Sequence, residues 1–264
     1  MLCKNCNTDL QNTQKYCFEC GAKVINNRLT LKNIFEDINN QFLNYDNKFI
    51  KTFLFLFTKP EEVILSFING TRKKYINVIQ YFAISLTLVG FQIFLMNNFF
   101  NDAIGLDEIY GDAFSKFEHQ ENNPFSPSNF DYAQINNYQS LIYILTVPFS
   151  AIATWIAYFI TGYRKFNFTE HVVLNLYYSA QIIIISAVFT IIFLCFGVSF
   201  MLITSIITLL TFAYFFYVLK RIFNTKFLDT LGVFLLVMLI ILAFFLALII
   251  LVAIIGIIIA IKKG

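Results

Sequence analysis

Charge is scarce in this chain. Asp, Glu, Lys and Arg make up 13% of its 264 residues, about half the roughly 25% of a soluble domain. None of that charge falls inside the long apolar runs. Ion-coupled transport and proton relays place ionisable groups at membrane depth, so the sequence argues against both. Histidine is limited to His119 and His171. No G-x-S-x-G, H-E-x-x-H, S-x-x-K or Walker loop is present, so no catalytic residue is assigned and the expectation is not an enzyme. The first residues carry Cys, Lys, Asn and Asp instead of an apolar h-region, so no cleavable signal peptide is expected. A net charge of +3 is too small to argue for nucleic acid.

Apolar residues fill the rest, at 58% of the chain, in runs above the roughly 18 residues that mark a span. Five spans are read, over about 76–96, 140–160, 172–196, 200–219 and 231–261. The break "GVS" at Gly197 makes a tight hairpin of the third and fourth. The last run rises roughly 46 Å against a hydrocarbon core of about 30 Å, yet contains no turn signal. It reads as one tilted or overhanging helix. Small residues Ser150, Ala153 and Ala157 form a packing stripe on span 2, where Pro148 predicts a kink. Gln80, Gln92, Asn175 and Gln181 read as helix–helix hydrogen-bonding groups.

Orientation follows from Lys and Arg in short loops. Arg72, Lys73 and Lys74 precede span 1, Arg164 and Lys165 follow span 2, and Lys220, Arg221 and Lys226 follow span 4. The segment 97–139 has one basic residue, Lys116, against seven acids. Five spans with the N-terminus cytosolic put these basic loops on one face. Only Lys262 and Lys263 are discordant, and a sixth crossing, with the last run as two spans, is the alternative that would remove the discord.

Cys3, Cys6, Cys17 and Cys20 form two C-x-x-C pairs with ten residues between them. In the reducing cytosol such pairs read as a metal site. A segment of this size buries too little apolar surface to fold alone. One structural zinc held by four thiolates would staple it. Gly21 after Cys20 and Asn7 after Cys6 suit left-handed knuckles that free amides for sulfur. Asn12 and Thr13 are placed at the turn. Cys195 reads as a buried thiol deep in span 3.

The whole is an α-class protein: a polytopic helical membrane bundle of about five spans, preceded by a small zinc ribbon. The ribbon occupies 1–24, an amphipathic and interfacial helical collar 29–74, and the membrane domain 75–264, with an extracytoplasmic loop at about 97–139. In the collar, Leu31, Ile34, Phe35, Ile38 and Phe42 form one apolar face, and Asp46 is placed as cap of the next helix. Thr58 and Glu61 suggest a capping box around Pro60. Val63, Ile64, Phe67 and Ile68 are that helix's apolar set, closed by Gly70. At the cytosolic face, Arg72 and Tyr75 open span 1 while Glu170 and His171 open span 3, with Thr169 as its cap. Equal depth makes an Arg72–Glu170 pair beside His171 a candidate polar cluster.

The order "CxxC…CxxCG", a helical collar, "P-E-x-V-I-x-x-F-I-x-G-x-R-x-x-Y" and "E-H-V-V" resembles an uncharacterised bacterial family, filed as a domain of unknown function. That family joins an N-terminal zinc ribbon to a multispan membrane domain. Here Thr71 follows Gly70, and no proline follows Tyr75. The resemblance implies architecture and the cell (inner) membrane, with no reaction. The plan of five spans behind a cytosolic N-terminal module is also similar to the Yip family.

Two functional classes remain. In one, the protein is a non-enzymatic adaptor or scaffold in the lipid bilayer whose ribbon binds a cytosolic protein. Its mixed charge, Lys4, Lys15 and Lys23 against Asp9 and Glu19, suits protein better than nucleic acid. In the other, it is a small-molecule or lipid transporter with a polar pocket near Arg72, Glu170 and His171. Oligomeric state is not legible in the sequence.

Overall fold

The computed structural model describes residues 1–24, 30, 32, 48–100 and 137–263. The chain divides into two compact units, Met1–Asn47 and Lys48–Gly264. The collar expected over 29–74 is therefore divided, its second part belonging to the membrane unit. The apolar face from Leu31 to Phe42, the Asp46 cap, His119 and most of the acidic loop lie outside the described residues.

The first unit is built from two knuckles offset by fourteen residues, as Cys3 to Cys17 and Cys6 to Cys20 show. Antiparallel bridges pair Leu2 with Asp9 and Tyr16 with Lys23. Between them Gln14 N–H donates to the Gln11 carbonyl at 3.1 Å, which places Asn12 and Thr13 at the expected turn.

The second unit is helical: α1 Lys48–Thr58, α2 Pro60–Ile68, α3 Val78–Phe99, α4 Gln139–Ile160, α5 Phe168–Cys195, α6 Phe200–Phe223 and α7 Phe227–Lys263. The last five hold segments long and apolar enough to cross a membrane. This is the five-span plan, and α7 is a single helix of 37 residues, about 55 Å long by its rise. α4 runs unbroken through Pro148. α3 continues to Phe99, past the expected loop start at 97.

Local chemistry explains the boundaries, and some expectations are corrected. Thr58 does not cap α2. It closes α1, its hydroxyl donating to the Leu54 carbonyl at 3.0 Å, while Lys59 fills the cap with no side-chain bond. Pro60 is the first helical residue, as expected. At the other end Gly70 (φ 94) turns the chain, with Gly70 N–H on Phe67 O (3.1 Å) and Thr71 N–H on Ser66 O (2.8 Å). Those two bonds satisfy carbonyls that the helix end would orphan. The cap of α5 is Asn167, two residues before Thr169. Cys195 is not a buried thiol. It is the exposed last residue of α5, because the hairpin around Gly197 begins there.

Spans consecutive in sequence run in opposite directions, so α3 and α5, which pack side by side, are parallel. Tyr158 near the end of α4 stacks on Phe223 at the end of α6, with ring centroids 3.5 Å apart. Phe166 and His171 at the start of α5 join them. At the opposite end Met96, Leu194 and Ile203 form a smaller cluster. The main core lies towards the first end, around Tyr81, Ala157, Tyr158, Leu174, Tyr177 and Leu219. α1 and α2 pack there, with Leu56, Val63 and Ile64 fully buried. Side chains of α5 and α6 donate to α1 carbonyls: Gln181 to Phe53 (3.2 Å), Tyr214 to Leu56 (3.0 Å) and Tyr217 to Thr58 (2.8 Å).

Candidate functional site

In each knuckle the first cysteine is held by its own backbone. Cys3 N–H donates to Thr8 O and Asn7 N–H returns to Cys3 O, both at 2.9 Å. Cys17 repeats this with Ala22 O at 2.8 Å and Gly21 N–H at 2.9 Å. Closing so short a ring forces a left-handed residue after the second cysteine. Asn7 (φ 58) and Gly21 (φ 70) occupy those positions, as the sequence suggests.

The four sulfurs lie within 4.8 Å of one another. The Cys3–Cys20 and Cys6–Cys17 Sγ separations are both 3.6 Å. That is far beyond a disulfide of about 2.05 Å. It is close to the edge of about 3.8 Å for a tetrahedron of 2.3 Å metal–sulfur bonds. The donor set is all thiol, which suits a soft or borderline cation. The local environment acts on the thiols unequally. The Asn5 side chain and the Ala22 backbone hold the Cys20 thiol down at about 6. Cys17 is favoured as thiolate by the Cys20 backbone, but burial and its bonds to Cys20 and Cys6 outweigh this and push it up to about 11. Four adjacent thiolates cannot coexist without a compensating cation. The four cysteines are thus a site that could hold a metal ion.

The polar residues at the mouth of the bundle take separate partners. Arg72 is exposed, its guanidinium 4.1 Å from the Phe67 ring centroid and donating to the Phe67 carbonyl. Glu170 accepts from Asn167 N–H at 2.7 Å while Glu170 N–H donates to Asn167 Oδ1 at 2.9 Å, a reciprocal cap. No ion pair joins the two. Tyr75 is buried against Phe55, with Lys74 Nζ 5.1 Å from its ring centroid, and burial raises its phenol above the ordinary value.

His171 is buried and belongs to a network that sequence reading missed. The Thr154 hydroxyl donates to Ala151 O at 3.0 Å. With that hydrogen committed, His171 Nδ1 donates to Thr154 Oγ1 at 3.2 Å. Asn175 Nδ2 donates to Thr154 Oγ1 (2.9 Å) and to His171 O (2.8 Å), and Asn175 Oδ1 accepts from Ser150 (2.6 Å). The signal was a matching spacing of four, Ser150 with Thr154 on α4 and His171 with Asn175 on α5. A second network joins Tyr81, Gln181 and Phe53 O, while Tyr177 donates to Ile76 O at 2.7 Å. Gln80 is exposed and takes no part, and Gln92 reaches only Met96 Sδ of its own helix at 3.4 Å. The charged contacts at this end centre on Glu61 and Glu62. Arg221 Nε donates to Glu61 at 3.0 Å, and Lys59 and Lys74 lie 3.2 and 3.9 Å from Glu62.

Comparison with known families gives a match over residues 46–90 to a family described as a protein of unknown function, DUF3667. The matched stretch contains α1, α2 and the first half of α3, the part that builds the mouth of the bundle. No curated protein matches the chain. No solved structure matches it.

Proposed function

We propose that this is a non-enzymatic adaptor or scaffold of the cell (inner) membrane. Its N-terminal ribbon faces the cytosol, holds one structural zinc on Cys3, Cys6, Cys17 and Cys20, and docks a protein partner. One observation carries the scaffold reading: the buried amides of Asn175 and Gln181 are spent on neighbouring protein groups. Asn175 uses its oxygen and both amide hydrogens within α4 and α5. Gln181 is spent on Tyr81 and Phe53 O. Groups so engaged bind helices together. A solute pathway would leave such groups turned to water.

A second reading, a small-molecule or lipid transporter, draws on two exceptions. The Tyr75 and Tyr158 hydroxyls are buried with no hydrogen-bond partner, Tyr158 beside His171. A ligand atom at either hydroxyl would satisfy it.

Affinity capture on the membrane-extracted full chain, against the Cys17→Ser/Cys20→Ser variant, separates these. The adaptor loses its captured protein in the variant. Solute uptake by proteoliposomes that survives the same change would replace it with the transporter. Orientation is read by cysteine labelling from outside at Ser126 and Asn224. Labelling at Ser126 alone supports a cytosolic N-terminus, and labelling at Asn224 alone reverses it.

A further inference from the structure

Five of the basic residues around the mouth share a device. Among the described residues, Arg72 lies over Phe67 (4.1 Å to the ring centroid), Arg164 over Phe159 (4.4 Å), Lys74 over Tyr75 and Lys165 over Phe166 (both 5.1 Å), and Lys220 over Phe227 (5.8 Å). A preference for one side of a membrane needs charge near the ends of spans, but it does not need rings beneath that charge. The rings tie each cation to a side chain of the bundle.

The arrangement is sharpest where α4 turns into α5. Trp155 meets Phe159 and Phe168 with centroids 6.0 Å away in each case. All three are substantially exposed, Phe159 at 50%. An outward aromatic face at the end of a span belongs at the boundary between acyl chains and headgroups. It ends in Arg164 and Lys165, adjacent and exposed. Arg164 stands on the Phe159 ring of that same face. Stacking uses the flat of a guanidinium and leaves its in-plane N–H groups for oxygen acceptors. The acid beside this corner is Glu170, whose carboxylate is occupied by the Asn167 backbone.

We infer that the α4–α5 corner seats an anionic phospholipid. Arg164 and Lys165 receive the phosphate, and the acyl chains lie along Trp155, Phe159 and Phe168. Charge complementarity argues for this occupant: an apolar face that must meet lipid runs directly into two cations. The inference rests on the membrane reading and is independent of orientation and of the ribbon.

Trp155 is the only tryptophan in the chain, so its fluorescence reports this corner. The full-length protein is reconstituted in phosphatidylcholine bilayers containing a minor share of phosphatidylglycerol, with bromine on one lipid or the other. Brominated phosphatidylglycerol should quench Trp155 more strongly than brominated phosphatidylcholine at equal mole fraction. Arg164→Gln/Lys165→Gln should remove the preference, at about fivefold in relative affinity per charge. Salt should weaken the preference. Should the double variant fail to insert, Phe159→Leu keeps both charges and should lower the preference by freeing Arg164. Equal quenching by both lipids in the unaltered protein overturns the inference and keeps the membrane reading. A preference that survives the double variant also overturns it. No quenching by either lipid overturns the membrane reading itself.

Discussion

In the ribbon the buried side chains are Cys3, Leu10 and Cys17, with Cys6 and Val24 packed against them. In the membrane unit a continuous core runs from Leu56 on α1 to Val237 on α7. The first set is too small to offset the entropy of ordering some two dozen residues, at roughly 1–2 kcal/mol each for the backbone. The second is built on its own contacts, because its helices satisfy their own backbones and its interfaces interlock. If the four cysteines hold a metal, one chain combines a fold conditional on a ligand with a fold conditional on a solvent. Removing metal and removing a packing group should separate the two.

The largest effect is expected at the cysteines. Cys17→Ser/Cys20→Ser, or a strong chelator, should unfold residues 1–24 and reduce bound metal from about one zinc per chain to none. Elemental analysis checks the stoichiometry, and proton NMR of the ribbon signals checks the fold. The thermal transition of the helical unit should not move. A shift of that transition would mean that the two units are energetically coupled and would break the comparison.

The difference between the units also decided what could be read from sequence. The ribbon was legible down to single residues. Thiolate geometry and a short loop leave few solutions, so Asn7, Gly21, Asn12 and Thr13 all took their expected places. In the bundle, hydropathy fixed the number of spans and the unbroken α7. It could not fix pairing, because helices of near-uniform apolarity do not announce which face meets which neighbour. Equal depth suggested Arg72 with Glu170, yet each found a nearer partner, the Phe67 ring and carbonyl for one and the Asn167 amide for the other. Capping positions slipped for a similar reason. Thr58 and Asn167 are both good caps by type, and only the geometry of the preceding turn selects between Thr58 and Lys59, or Asn167 and Thr169.

Within the bundle, Asn175→Ala should be the most damaging of the changes considered. It removes one donor and one acceptor that hold α4 to α5, and a second donor spent on His171 O within α5, and it leaves the Thr154 and Ser150 hydroxyls short of partners. A loss of about 2 kcal/mol is expected from bonds worth roughly 0.6–1.7 kcal/mol each inside a membrane. Reversible unfolding in mixed micelles measures it. A loss no larger than that of an exposed position such as Gln80→Ala would mean that the network does not hold the spans together.

Gly70→Ala should cost less, about 1 kcal/mol. A methyl group at that position would meet no atom within 4 Å, so the penalty is conformational alone. It comes from holding an L-residue at φ 94, where only glycine is at ease. Gly70→Asn should recover part of the loss.

The smallest effect is expected for Glu61→Gln, although Arg221 grips Glu61 through two nitrogens. Both side chains are partly open to solvent, where ion pairs gain little over hydration and salt screens what remains. The neighbouring Glu62 keeps Lys59 and Lys74, so the change leaves only Arg221, itself open to water, without its carboxylate. The melting temperature of the helical unit should fall by less than for Gly70→Ala, and the difference from the unaltered protein should vanish at high salt. α2 is also held to α6 by apolar burial of Val63 and Ile64 and to α1 by the turn at Lys59, neither of which the change touches. If Glu61→Gln instead destabilised the unit as much as Asn175→Ala, the mouth would depend on its charged contacts as the ribbon is expected to depend on a metal. The contrast between the two units would then hold only for the spans.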